Sequence, residues 1–312
     1  MFQRAHRRRP SRAGRAAAAA LLAALVAVPA VWGVLPDGGT GGRGGTAVAA
    51  GPAPPVPDTA QAPPGTLREL VAALTGSAVA DPLDLAPGAL AVDRAGEEGL
   101  ELSWALLHTG DGRWTGSGDA ASARTEAEST IKAWLAADTL RAAARTGRPL
   151  PRAVRADISA AVRASDDAAA ERLYRALGRD ASIARLGPEC GVAVRTSRPG
   201  WWSYTQLTPL DSARILACVR ERAPGWPGGR ELLADLAAVA PDGRSGIHAV
   251  LPAPVAEKNG WTLHGGDGWN VNCVLAWADR SLAVHTTYPA DRGVDYGWQV
   301  CRDVAADVLA AS

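Results

Sequence analysis

Apolar positions recur at helical spacing over residues 66–74 (TLRELVAAL), with Thr66 placed to cap the first turn. The period then changes. Residues 100–108 and 113–118 alternate on either side of Gly110-Asp111-Gly112, a turn signal, and predict a β-hairpin. Helical spacing returns over 130–144, directly after Ser129, and Pro149 and Pro151 end it. Two more helices are predicted over 152–163 and 166–177, the second stopped by Gly178. A loop with Pro199, Gly200, Trp201 and Trp202 leads to helices over 209–222 and 230–238. Residues 255–264, 269–278 and 281–288 read as strands, and 295–310 as a last helix. Strands from both ends of the chain must then share one antiparallel sheet. Terminal helices would lie on one face and the middle helices would form a separate lobe. The expected class is α+β and two-lobed, with a substrate cleft between the lobes.

The N-terminal pattern is different. A basic stretch, MFQRAHRRRPSRAGR, precedes an apolar run at 16–35. That is the form of an export signal, and the run is also long enough to act as a membrane anchor. Arg7, Arg8 and Arg9 would stay inside and the rest would lie outside. Residues 36–65 are rich in Gly and Pro and read as a tether. The folded domain is expected over 66–312. No Cys lies near the apolar run, which speaks against a lipid-anchored form.

Composition sharpens the picture at a few points. The net charge of +1 gives no reason to expect a nucleic-acid partner. Four cysteines in an exported chain suggest two disulfides. Pairing neighbours in sequence favours Cys190–Cys218 and Cys273–Cys301. The five His share no metal-ligand spacing, so neither metal nor cofactor is expected. Of 33 basic residues other than His, all but Lys132 and Lys258 are Arg. Arg keeps its proton near neutral pH, whereas a buried or crowded Lys can lose it. The two Lys are therefore the first places to look for chemistry.

Ser129-Thr130-Ile131-Lys132 puts a hydroxyl and an amine on one helical face. A Ser hydroxyl becomes a nucleophile when a nearby base takes its proton, and a crowded Lys can be that base. Helix capping by Ser129 beside a surface Lys would also explain the tetrapeptide. Lys258-Asn259-Gly260 falls on a predicted strand, where Gly would let a substrate backbone approach. An edge-strand Lys that blocks aggregation is the plain alternative. Ser165-Asp166-Asp167 opens a helix, and Ser165 as N-cap with two acids in the first turn suffices structurally.

In this order the three sites resemble the penicillin-recognising serine enzymes, the class A β-lactamases and D,D-peptidases, with their SxxK, SxN and K[ST]G motifs. The resemblance runs from Thr66 to Ala310, and both Lys fall on the family's two Lys positions. It implies a β-lactamase-like fold and an acyl-enzyme formed on Ser129 with a β-lactam or a D-Ala-D-Ala-type peptide. Lys132 would be the base and Ser165 a proton relay to the leaving nitrogen. Asp167, Lys258, Asn259, Gly260 and Trp261 would bind substrate. The oxyanion hole would use the N–H of Ser129 and that of Trp261 or Thr262.

Three positions depart from the family. Asp167 replaces an Asn and, when ionised, cannot donate a hydrogen bond. Paired with Lys132, it would raise that amine's pKa. Asn259 stands where Ser or Thr is usual. The loop 187–208 has only Glu189, at its start, where class A enzymes carry a Glu that activates the deacylating water. Trp201 and Trp202 in this loop could stack on a substrate or simply cover the lobe. The expectation is a monomeric, extracytoplasmic serine hydrolase, or a binding module that keeps the fold without the chemistry.

Overall fold

The computed structural model describes residues 81–266 and 268–311. The expected helix at 66–74, the apolar run at 16–35 and the linker at 36–65 lie outside them. Among the described residues no helix is long and apolar enough to cross a membrane.

Strands β1 (Glu101–His108) and β2 (Trp114–Gly116) form the expected hairpin. Strands β8 (Gly268–Trp277) and β9 (Arg280–Tyr288) form another, and β9 pairs with β1 along all eight residues of β1. The first and last described strands thus meet in one antiparallel sheet, which runs β2-β1-β9-β8 and continues from β8 to the short strand at Ala256–Glu257. The expected single strand over 255–264 is two pieces, β6 (Ala256–Glu257) and β7 (Gly260–His264), both paired with β8. The break falls on Lys258 and Asn259.

Both faces of the sheet are buried, so the alternation sorts side chains between two cores. Trp104 and Leu106 of β1 face one core with Cys273, Leu275 and Val284. The helix α8 (Gly293–Ala310) adds Val300 and Val304 there, and Cys273–Cys301 ties it to β8. Ala105 and Leu107 face the other core, the helical lobe.

That lobe begins with α1 (Lys132–Thr146), which Gly147 ends at φ +64°. It continues through α2 (Arg152–Arg163), α3 (Asp167–Ala176), α4 (Asp180–Ala184) and α5 (Leu186–Cys190). Next come α6 (Pro209–Arg222) and α7 (Gly229–Ala237). Thr208 and Asp211 close a reciprocal capping box on α6. Cys190–Cys218 fastens α5 to α6. Residues 178–208, expected as loop, hold the short helices α4 and α5 and two strands of a small second sheet. That sheet joins β3 (Thr125–Glu126) to β5 (Thr205–Leu207) and β5 to β4 (Arg195–Thr196). The strands are two or three residues long, too short for a period to show.

Candidate active site

The helix α1 is entered through a 3-10 turn, Glu128–Ile131, so Ser129 stands at its mouth and Lys132 one turn further on. Glu128 takes φ +51°, uncommon for a residue with a side chain. Its surroundings hold it there. The carboxylate is buried and accepts hydrogen bonds from Thr262 Oγ1 (2.7 Å), His264 Nε2 (2.7 Å) and Asn270 Nδ2 (3.2 Å). Glu128 thus couples the turn that carries Ser129 to β7 and β8.

Gly260 makes that approach possible. A Cβ there would stand 2.7 Å from Ser129 N and 2.8 Å from Ala127 O. Lys258 N donates to Val274 O at 2.9 Å. Antiparallel alternation from that bond turns the N–H of Gly260 and Thr262 toward β8, and that of Trp261 off the sheet edge. Of the two candidates, the Trp261 N–H is therefore the one directed to the side where Ser129 lies.

The two Lys converge on one hydroxyl. Lys258 Nζ donates to Ser165 Oγ (3.0 Å) and to Asn259 O (2.7 Å). Lys132 Nζ donates to Ser165 O, to Ser165 Oγ (3.4 Å) and to Asp167 Oδ1 (2.6 Å). Its ammonium also lies 4.9 Å from the centre of the Trp202 ring. The Ser129 hydroxyl makes no hydrogen bond among the described residues. Burial pushes the Lys132 amine below its ordinary pKa, while Asp167 pulls it back up. Lys258 is pushed well below its ordinary value by burial and by the nearby Lys132.

Ser165 does not cap α3. Asp166 does, accepting from Ala169 N at 2.7 Å, and Ser165 precedes it at φ +54°. Its hydroxyl is thereby left for the two amines. The Asp167 side chain is 81% exposed apart from its bond to Lys132.

Asn259 does not reach the cleft. It is fully buried, its Oδ1 accepts from Val274 N (3.1 Å), and its Nδ2 donates to Gly243 O (2.9 Å) and Glu257 Oε1 (2.7 Å). Here the side chain fills a gap in the sheet ladder. The Trp261 ring packs edge-on against Trp298 at 5.3 Å.

Ser129, Asp167 and Trp261 line a cleft of about 710 Å³ together with Glu128, Glu171 and His264. Trp201, Trp202 and Tyr204 supply an aromatic wall from the loop before β5. Glu189 takes no part: it pairs with Arg141 (3.2 Å) and Arg222 (2.6 Å). Glu128 and His264 were not singled out in the sequence. The available signal was an acid directly beside the Ser of SxxK, with a His six residues beyond the second Lys. Among the described residues no group of acidic, His or Cys side chains could hold a metal ion.

No family model matches the chain. Among solved structures it resembles an ancestral class A β-lactamase at a TM-score of 0.53 and 25% identity, covering 69% of this chain and 95% of that one. A β-lactamase of Desulfarculus baarsii gives 0.50 and 25%, over 67% and 91%. The fold is that of the β-lactamases, as the motif order implied. A protein of Mycobacterium tuberculosis and Mycobacterium bovis named "Putative lipoprotein LppW" is 30% identical over 216 residues, 64% of this chain and 68% of the relative. On that likeness the chain belongs to the LppW family.

Proposed function

We propose that the protein is an exported serine acyl-transfer enzyme of the cell envelope. Ser129 attacks the carbonyl of a β-lactam or a peptidoglycan-type amide and holds the acyl group as an ester. The observation that carries this reading is the meeting of Lys132 and Lys258 on Ser165 Oγ, one helical turn from Ser129. Burial holds both amines toward the neutral form, and Lys132 adds to that effect on Lys258, as a base and a proton relay require. Lys132 takes the proton of Ser129 Oγ. The new bond forms from Oγ to the carbonyl carbon, and the C–N bond breaks. The leaving nitrogen receives its proton through Ser165. The N–H groups of Ser129 and Trp261 face the developing oxyanion.

The envelope location rests on the lipoprotein relatives and on the basic-then-apolar start of the chain. All four cysteines of this sequence pair in disulfides, so the 16–35 segment is the candidate attachment. Loop 187–208 offers no carboxylate to activate water in the cleft, so hydrolysis of the acyl-enzyme is slow. A second reading, a binding module without turnover, draws on one observation: Lys132 spends its hydrogen bonds on Ser165 and Asp167 rather than on Ser129. Labelling with a fluorescent penicillin separates the two. The enzyme reading expects label on the wild type and none on Ser129→Ala; the binding reading expects no covalent label on either.

A further inference from the structure

Acidic side chains outnumber basic ones in the lining of the cleft. Its charged lining residues are Glu128, Asp167, Glu171, Arg179 and His264. Most of these charges are spoken for within the protein. Glu128 is closed by His264 and Thr262, and Arg179 pairs with Glu171 at 3.2 Å while donating to Gly200 O. The Asn259 amide, which could have met a ligand anion, is turned into the sheet. Asp167 is the exception. Its carboxylate is 81% exposed, its Oδ2 makes no hydrogen bond among the described residues, and its one cation is Lys132.

The aromatic wall beside it fits the same charge. Trp202 already faces the Lys132 ammonium at 4.9 Å, and Trp201 carries the Arg198 guanidinium at 4.1 Å. Trp201 is still 51% exposed. Ring faces next to a carboxylate are a recognised surface for an ammonium group.

We propose that Asp167, with Trp201 and Trp202, binds a positively charged amine on the acyl donor, and that this contact frees Lys132 from its ion pair. The proposal rests on the reading of Ser129 as nucleophile and names the class of compound it takes. An arriving ammonium pairs with Asp167. Lys132, relieved of its counter-charge, passes its proton by way of the exposed Asp167 carboxylate, 2.6 Å away, to solvent and can then accept the proton of Ser129 Oγ. A substrate lacking the amine leaves the Lys132–Asp167 pair in place, and Ser129 reacts more slowly.

Ampicillin and benzylpenicillin differ by one side-chain amine and serve as the probes. Acylation is followed by intact mass on the wild type and on Asp167→Asn. The expected result is acylation about tenfold faster with ampicillin on the wild type, falling to near parity on Asp167→Asn. Equal rates on the wild type, or a preference that survives in Asp167→Asn, would overturn the proposal. Calorimetric titration of Ser129→Ala keeps this separate from the nucleophile question. If the wild type forms no adduct, the acyl-enzyme reading fails. A preference for ampicillin in binding to Ser129→Ala, lost on adding Asp167→Asn, then upholds charge recognition. Equal affinity, or no binding of either drug, rejects it.

Discussion

Glu128 Oε2 accepts a 2.7 Å hydrogen bond from Thr262 Oγ1, so the residue before Ser129 is tied to the residue after Trp261. The two N–H groups assigned to the oxyanion thus belong to segments pinned together by one buried carboxylate. Glu128→Ala removes the acceptor of three donors. A loss of about 1.5–3 kcal/mol is expected in chemical denaturation, with acylation falling further than binding. Unchanged acylation in a folded Glu128→Ala protein would show that the tie does not set the oxyanion geometry.

Gly260→Ala tests the same approach from the backbone side. The new Cβ meets Ser129 N at 2.7 Å, and neither partner is a flexible side chain. Overpacking of this kind costs about 1–3 kcal/mol, and the widened gap should abolish adduct formation. A stable Gly260→Ala protein that labels normally would contradict the close packing described here.

Much of this geometry was legible in the sequence. Of the motif residues Ser129, Lys132, Ser165 and Lys258, the last three meet through hydrogen bonds, and Ser129 lines the cleft one helical turn before Lys132. The helices over 152–163 and 209–222 carry strong periodic and Pro signals and match the sequence reading residue for residue. Asn259 was not legible. A strand pattern says that side chains alternate, but not that an amide will leave the face and substitute for a backbone acceptor. Ser165 was similar: only the left-handed backbone at that position moves the cap to Asp166. Glu128 sits in a 3-10 turn, where neither helical nor strand period flags a buried acid.

The pH dependence follows from the two amines. Asp167 raises the Lys132 pKa against burial, so Asp167→Asn should move the rise of the acylation rate to lower pH. A rise at unchanged pH would show that the 2.6 Å pair does not control Lys132. Lys258 has a depressed pKa in the folded state. Between that value and its ordinary value the unfolded chain binds more protons, so stability rises with pH. The stability of the wild type relative to Lys258→Met should therefore climb as pH approaches 10.5, the ordinary Lys value. A difference that is flat or falls would contradict the buried, depressed amine.

Each disulfide closes a loop between residues 28 apart in sequence. Replacing either pair by Ser is expected to cost about 3–4 kcal/mol on the chain-entropy account. Loss of Cys273–Cys301 should also loosen α8 from β8, seen as faster amide exchange in both. Equal exchange in the oxidised and Ser-substituted proteins would show that packing alone holds the helix.

The central claim is that Ser129 forms a covalent acyl-enzyme. Intact-mass measurement after incubation with ampicillin tests it most directly. The account predicts that the wild type gains the full mass of the drug and keeps it for hours, while Ser129→Ala gains nothing. No adduct on the wild type, or an equal adduct on Ser129→Ala, would contradict it.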